Sequence, residues 1–132
     1  MDRRKEIARE IAHKFIALSP EAIGLLAEII IPLKYKRGAK VLDEGEVCNH
    51  MYYIEKGLTR QFYIKNGKEV TEHIEYEGGI VVCIESFFLK EPTKLMIETL
   101  EPSTIYAIPH DRLKELTRKS YDFCQLMFAF LE

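Results

Sequence analysis

In the first thirty residues, apolar and charged positions alternate with the period of an α-helix. Between Asp2 and Leu18, apolar residues recur three and four positions apart, with arginines and glutamates on the other side. This spacing predicts an amphipathic helix. Ser19-Pro20-Glu21 then supplies a helix cap, a proline suited to the first helical position and an acid for the first turn. We therefore predict a second helix from Pro20 to about Glu28.

From residue 31 onward the period becomes that of β-strands, and glycines separate the segments. Short strands divided by turns at this spacing are typical of a sandwich or barrel. Asn66-Gly67 predicts a two-residue hairpin turn, because both residues tolerate the positive φ that such a turn requires. The predicted strands are 31–36, 40–42, 50–55, 58–64, 68–74, 95–100 and 104–108.

The two strands beside Asn66-Gly67 have one mainly apolar face and one polar face. The polar face includes Thr59 and Gln61, which we expect to meet water. Arg60 and Glu72 fall on the other face, where a cross-strand ion pair would offset the burial of their charges. The apolar positions expected on the core face are Leu58, Phe62, Ile64, Val70, Ile74 and Tyr76.

The stretch from Tyr76 to Leu100 stands out between the predicted strands. It is too apolar for an ordinary surface loop and too irregular for one strand or helix. Gly78-Gly79 opens it, Ser86-Phe87-Phe88 fills its middle and a Pro-Thr-Lys corner leads back to a strand. We interpret this stretch as a loop that closes over a cavity in a β-scaffold.

The C-terminal residues return to a helical pattern. Pro109 and the polar residues after it start a predicted helix to about Lys119, and Ser120 to Glu132 predicts another. This last segment is apolar on nearly every side, and such a helix is normally buried on both sides. We expect a partner chain to cover the stripe formed by Phe123, Met127 and Phe130, giving a homodimer.

Length and composition fit one soluble domain. The chain has 132 residues, 47% hydrophobic and 30% charged, and a net charge of -2 removes any bulk electrostatic argument for nucleic acid. Its three cysteines, Cys48, Cys83 and Cys124, fit neither a disulfide framework nor a set of zinc ligands. The mixed-charge N-terminus is not a signal peptide, and no apolar run is long enough to span a membrane. We expect a cytoplasmic protein with reduced thiols.

Two segments carry a resemblance to a known family. They are KRGAKVLDEGEVCNHMYYIEKGLTRQFY at 36–63 and NGKEVTEHIEYEGG at 66–79. With the order of helices, roll and exit helix, they resemble the cyclic-nucleotide-binding domain of Crp/Fnr-type transcriptional regulators. The resemblance implies a mainly β fold, a double-stranded β-helix (jelly roll) with N-terminal helices and a C-terminal dimerisation helix. It implies one domain over 1–132, with helices in 2–29, the roll in 30–109 and helices in 110–132.

In this family a Gly-Glu pair and a downstream Arg, followed by Ser or Thr, bind the ribose hydroxyl and the cyclic phosphate. Aligned on Ser86-Phe87-Phe88, the chain has Val82 and Cys83 at the Gly-Glu positions and Lys94-Leu95 at or near the Arg-hydroxyl pair. Each of the two lost charged contacts costs about 1.5–3 kcal/mol. We therefore expect ordinary micromolar cyclic AMP binding to be absent. The resemblance implies a ligand-binding set of Val82, Cys83, Ile84, Glu85, Ser86, Lys94 and Leu95.

Our leading interpretation is an effector-sensing domain of a Crp/Fnr-type regulator, and not an enzyme. The effector would be nucleotide-like or another small anion, and DNA would be bound only through a helix-turn-helix domain that this sequence does not contain. A ligand-free structural or protein-interaction module of the same fold remains open. A third alternative is a cupin-like metalloenzyme, but the chain has no His-x-His pair, and His73-x-Glu75 is a single match. We expect no metal, no other cofactor and no membrane partner.

Overall fold

Two helices precede the β-strands in the chain, one lies between strands and one follows them. The structure, a computed structural model, describes residues 2–15 and 18–119. The helices in these residues are α1 (Arg4–Phe15), α2 (Pro20–Ile29), α3 (Ile84–Leu89) and α4 (His110–Lys119). The strands are β1 (Ile31–Tyr35), β2 (Lys40–Leu42), β3 (His50–Lys56), β4 (Thr59–Lys65), β5 (Lys68–Glu75), β6 (Ile80–Val81), β7 (Met96–Thr99) and β8 (Ser103–Pro109).

The Ser19-Pro20 sequence starts α2 as predicted. The Ser19 hydroxyl oxygen accepts a hydrogen bond from the Ala22 N–H at 3.2 Å, and Pro20 occupies the first turn. This bond satisfies one of the amide groups that the first turn of a helix leaves without a partner. The residues 2–31 and 108–119 belong to one compact unit, in which α1 and α4 each contact α2.

The residues 32–107 form a second compact unit, which is mainly β. One four-stranded sheet has the order β1-β8-β3-β6, and the other has the order β2-β7-β4-β5. The pairings of β2 with β7, β3 with β6, β4 with β5 and β4 with β7 are all antiparallel. The predicted β-roll is confirmed, and its core includes Met51, Tyr53, Phe62, Ile97 and Ile105.

The hairpin turn between β4 and β5 lies where the sequence predicts it. Asn66 has a φ of 53° and Gly67 a φ of 76°, as a two-residue turn of the mirror-image type requires. Lys65 pairs with Lys68 across the turn, and the ladder continues to the pair Thr59 and Glu75.

The predicted core face of this hairpin is wrong in part: Phe62 is buried as predicted, but other positions are not. Gln61 pairs with His73 but Phe62 pairs with Thr71, so Glu72 is an extra residue in a β-bulge. The bulge shifts the alternation of side chains within β5 by one position, whereas β4 pairs with β7 without a shift from Thr59 to Phe62. Thr59 and Gln61, which we expected in water, are buried, whereas Ile64, Ile74 and Tyr76, which we expected in the core, are exposed.

The predicted ion pair between Arg60 and Glu72 is also wrong. The Arg60 guanidinium instead binds Glu69 at 2.7 Å and Glu98 at 2.9 Å. Its carbon lies 3.9 Å from the centroid of the Phe62 ring, a distance at which a cation is attracted to an aromatic face. The Phe62 ring is therefore covered by a charged side chain while it remains in the core.

The predicted helix from Ser120 to Glu132 lies outside the described residues, together with Phe123, Met127 and Phe130 of the expected dimer stripe. Among the residues that the structure describes, no helix has both the length and the apolar character needed to cross a membrane.

Candidate ligand-binding site

The stretch between Tyr76 and Leu100 folds into three short pieces. The strand β6 pairs with β3, with Val81 opposite Tyr52. Helix α3 follows, and its Phe87 is fully buried, so this aromatic side chain anchors the helix to the core. The chain then turns through residues 90–95 and enters β7. This arrangement leaves space between the start of α3 and the turn before β7.

That space is a cavity of about 370 Å³. Its first wall is residues 83–86 and its second wall is residues 91–95. Six of the seven residues in the predicted ligand-binding set line it: Cys83, Ile84, Glu85, Ser86, Lys94 and Leu95. The seventh, Val82, is not a lining residue, and its carbonyl oxygen accepts a hydrogen bond from Gln61 Nε2 at 3.0 Å.

The Ser86 hydroxyl holds three chain segments together. Its oxygen accepts a hydrogen bond from the Cys48 N–H at 2.9 Å, and it donates to the carbonyl oxygen of Glu91. Only 4% of Ser86 is exposed, so water does not replace these bonds easily. The hydroxyl thus fixes the first wall to the second wall and to the segment before β3.

Thr93 performs a similar role in the second wall. Its N–H donates to the Glu46 carbonyl at 2.8 Å, and its own carbonyl accepts from the Gly45 N–H at 2.9 Å. Its hydroxyl accepts from the Leu95 N–H at 3.0 Å and donates to the Leu95 carbonyl at 2.9 Å. The Glu46 carboxylate stabilises the turn at residues 43–46, because it accepts a hydrogen bond from the Asp43 N–H at 2.7 Å.

Thr93, Glu91 and Pro92 line the cavity but are missing from the set predicted by sequence. The alignment to the family assigned a hydroxyl position to Leu95, whereas the buried hydroxyl is two residues earlier. The available signal was the Pro-Thr-Lys corner itself, since threonine after proline is suited to hydrogen-bonding the backbone of a turn. Gln61 was missed because the polar face of β4 was assigned to water, whereas only 9% of Gln61 is exposed.

Two buried cysteines that are distant in sequence lie near Ser86. The Cys48 N–H donates to the Ser86 hydroxyl, and Cys83 directly precedes α3, which contains Ser86. A hydrogen bond with Cys83 lowers the pKa of the Cys48 thiol. The same hydrogen bond, together with burial, raises the pKa of Cys83. Gln61 Nε2 lies 3.6 Å from the Cys83 sulfur on its other side.

The charged side chains at the cavity are of both signs. Glu85, Glu91 and Lys94 line it and are exposed. The nearby Lys90 ammonium binds the Asn49 side-chain oxygen at 2.8 Å, beside the cavity. Two carboxylates therefore accompany one ammonium among the lining residues, which is a poor setting for a doubly charged anion.

The described residues contain no group of three histidine, cysteine or carboxylate side chains placed to hold a metal ion. His73 and Glu75, the single match to a cupin pattern, form a 2.8 Å pair on β5. The His73 side chain of this pair is exposed.

The two sheets, and the short helix beside a cavity before β7, define a β-roll with a loop site. A sequence model of the family described as "Cyclic nucleotide-binding domain" matches residues 32–120. The chain belongs to this family.

Solved structures show the same fold at low sequence identity. The sensor domain of the transcriptional regulator DNR from Pseudomonas aeruginosa has a TM-score of 0.79 at 20% identity, over 99% of this chain and 87% of that one. The catabolite activator protein of Thermus thermophilus has a TM-score of 0.77 at 19% identity, over 92% of this chain and 56% of that one. The regulatory domain of Toxoplasma gondii PKA, crystallised with cAMP, has a TM-score of 0.75 at 11% identity, over 86% of this chain and 44% of that one. The chain thus spans about half the length of the last two proteins. No curated protein matches it by sequence.

Proposed function

We propose that this chain is the effector-sensing domain of a Crp/Fnr-type transcriptional regulator whose nucleotide cassette has lost its usual polar contacts. The observation that carries the proposal is the cavity at the cassette position, with Ser86 and Thr93 in its walls. Phe87 is buried in the core and neither it nor Phe88 lines the cavity. An open, partly polar cavity favours a ligand, whereas a plugged one would favour a purely structural domain.

The effector differs from ordinary cyclic AMP because the contacts for ribose and phosphate are altered. A thiol, Cys83, stands where the family has a carboxylate, and this thiol is already hydrogen-bonded. Lys94 offers a single point charge in place of the paired donors of arginine. Losses of about 1.5–3 kcal/mol for each contact amount together to a weakening of roughly a hundredfold or more.

The lining charges narrow the class of effector. Lys94 can attract one negative group, but Glu85 and Glu91 oppose a second. A small molecule that has at most one negative charge, and hydrogen-bond donors for the carboxylates, fits this distribution best. A nucleotide-like molecule with its phosphate directed at Lys94 is one member of this class.

Isothermal titration calorimetry of the whole chain with cyclic AMP tests the altered cassette. We expect no saturable binding below roughly 100 µM, which follows from a hundredfold loss relative to a micromolar site. Any weak binding at millimolar ligand should disappear in Lys94→Ala and persist in Lys68→Ala, a matched exposed lysine at the start of β5. Tight, saturable binding by the unmodified chain would refute the proposed loss of affinity.

In a regulator of this type the domain acts as a homodimer and controls a separate DNA-binding domain. The proposed dimer uses the C-terminal stripe of Phe123, Met127 and Phe130. Sedimentation velocity should show a dimer for the unmodified chain and a monomer for Phe123→Glu. A clean monomer of the unmodified chain at high concentration would contradict this part of the proposal.

A protein-interaction module of the same fold is the second candidate. It is favoured by exposed apolar side chains on α3, where 49% of Ile84 and 60% of Leu89 are accessible to solvent. A partner that covers them would lose affinity when Leu89 is replaced by Ser. A sensor with a small effector would keep its ligand affinity in Leu89→Ser and lose it in Thr93→Val.

A further inference from the structure

A second cavity lies between α1 and α2. Its volume is about 460 Å³. Its lining residues are Lys5 and Arg9 of α1 and Pro20, Ile23 and Gly24 of α2. All of them belong to the compact unit that contains residues 2–31, whereas the cavity at residues 83–95 belongs to the β unit. The helical cavity is therefore separate from the proposed effector site.

The two basic side chains of the helical cavity have no acidic partner. No ion pair or side-chain hydrogen bond joins Lys5 or Arg9 to another described residue. Arg3, which begins two positions earlier, is instead paired with Glu6 at 3.1 Å. Lys5 and Arg9 are one helical turn apart, and like charges at this spacing destabilise a helix. A bound anion would remove this repulsion.

Gly24 leaves space in the wall of the helical cavity. It lies in the interior of α2, where glycine is a much poorer helix former than alanine. Crowding does not require a glycine there, because a Cβ at this position would meet no atom within 4 Å. Since Gly24 lines the cavity, such a Cβ would occupy space that a ligand could use. The glycine therefore weakens the helix but keeps the cavity open beside two cations.

We propose that the helical cavity binds a small phosphate monoester with an apolar substituent. Lys5 and Arg9 donate charge-assisted hydrogen bonds to the phosphate oxygens. A phosphate monoester carries about 1.5 to 2 negative charges at pH 7, which matches two cations with no acid among the lining residues. Pro20 and Ile23 supply the apolar surface against which the substituent packs.

An adjoining cavity of about 340 Å³ determines where the phosphate lies. It shares Lys5 and Gly24 with the helical cavity, and its lining residues also include Asp2 and Glu28. These carboxylates repel a phosphate, so the phosphate binds on the Arg9 side of Lys5. The same repulsion opposes a second phosphate on the other side, and the site therefore takes a single phosphate group.

Two-dimensional NMR of the whole isotope-labelled chain, titrated with phenyl phosphate at constant ionic strength, tests the site. We expect saturable shifts of the Ile23 and Gly24 amide signals, while the signals of residues 83–95 stay unchanged. Inorganic phosphate should bind more weakly, because it lacks the apolar group. Phenol should not bind, because it lacks the charge. Sodium chloride at the same ionic strength is the blank.

Charge variants identify the residues that bind the phosphate. Lys5→Ala and Arg9→Ala should each weaken phenyl phosphate binding roughly tenfold or more, because each removes a bond to a charged group. Lys14→Ala is the matched control, since Lys14 is an exposed lysine of α1 that does not line either cavity. Lys94→Ala should also keep the affinity, which distinguishes this site from the cavity at residues 83–95.

Gly24→Ala tests the cavity without changing a charge or endangering the fold. Alanine should raise the thermal midpoint of the free chain, because it is the better helix residue. It should also weaken phenyl phosphate binding severalfold, because its methyl group enters the cavity. Unchanged affinity in Gly24→Ala, or in both Lys5→Ala and Arg9→Ala, would overturn the proposal. Shifts confined to residues 83–95, or equal responses to phenyl phosphate and sodium chloride, would overturn it as well.

Discussion

The β4–β5 hairpin and the cavity loop are both excursions of the chain between strands, but they are held in opposite ways. In the hairpin, backbone pairs run from Thr59 with Glu75 to Lys65 with Lys68. In the cavity loop, the backbone of the two walls depends on the side-chain hydroxyls of Ser86 and Thr93. Many equivalent backbone hydrogen bonds stabilise the hairpin, whereas a few buried side-chain hydrogen bonds stabilise the cavity walls.

This difference predicts where a single substitution lowers the stability of the fold. An exposed side chain of the hairpin can be removed while every ladder bond remains. A hydroxyl of the cavity walls cannot be removed without leaving buried N–H or C=O groups unpaired, and each such group costs about 1–3 kcal/mol. The cavity walls are therefore more sensitive than the hairpin to the loss of a single polar side chain.

Ser86→Ala should have the largest effect. It removes the acceptor of the Cys48 N–H and the donor to the Glu91 carbonyl, so the free energy of unfolding should fall by about 2–4 kcal/mol. Urea denaturation followed by circular dichroism measures the change. Lys68→Ala at the exposed start of β5 is the control, with an expected loss of under about 0.5 kcal/mol. Equal losses for both variants would break the comparison.

Thr93→Val should cost about 1–2 kcal/mol, because valine keeps the shape but not the two bonds to Leu95. Thr93→Ser retains the hydroxyl and should recover most of the stability. Thermal unfolding of the two variants separates the bond from the packing. If Thr93→Ser lost more stability than Thr93→Val, the methyl group of Thr93, and not its hydroxyl, would be the important part.

Gly67→Ala tests the hairpin turn at a smaller scale. A Cβ at Gly67 would meet no atom within 4 Å, but φ is +76° there, so the cost is backbone strain of about 1 kcal/mol. Gly67→Asn should lose less, since asparagine tolerates this conformation. Denaturation midpoints decide the order, and a larger loss for Asn than for Ala would contradict the expected strain.

Glu69→Gln should have the smallest effect. Glu69 is 55% exposed, and its pair with Arg60 is open to solvent, so the loss should be under about 1 kcal/mol. The difference from the unmodified chain should shrink further in high salt, because ions screen exposed charges. A loss that is independent of salt would instead indicate that the contact of Arg60 with Phe62 has been disturbed.

Local signals in the sequence were sufficient for much of the fold. The cap at Ser19-Pro20, the turn at Asn66-Gly67 and the strand boundaries each depend on residues that are neighbours in the chain. The orientation of β4 was not predictable in this way, because the fold buries residues on both of its faces, including the adjacent Gln61 and Phe62. The two-residue strand β6 was also missed, since it is too short to show a period.

The sequence predicted where the candidate site lies in the chain better than it predicted which side chains contact each other there. The alignment to the family placed the loop, and six of the seven predicted residues line the cavity. The contacts of Ser86 with Cys48 and with Glu91 depend on the folded path of the loop. Sequence spacing offers no signal for contacts that tertiary structure creates, and so Thr93 and Cys48 had to be found in the structure.

The bonds that join residues 45–48 to the cavity walls also determine when the walls can form. Cys48 and Ser86 are 38 positions apart, and contacts of such separation are made late because a long loop must close first. On the ribosome, the Gly45 and Cys48 amides emerge well before the partners supplied by Thr93 and Ser86. The roll must therefore wait for roughly two thirds of the chain before its cavity exists, and a nascent chain interrupted earlier has strands but no binding site.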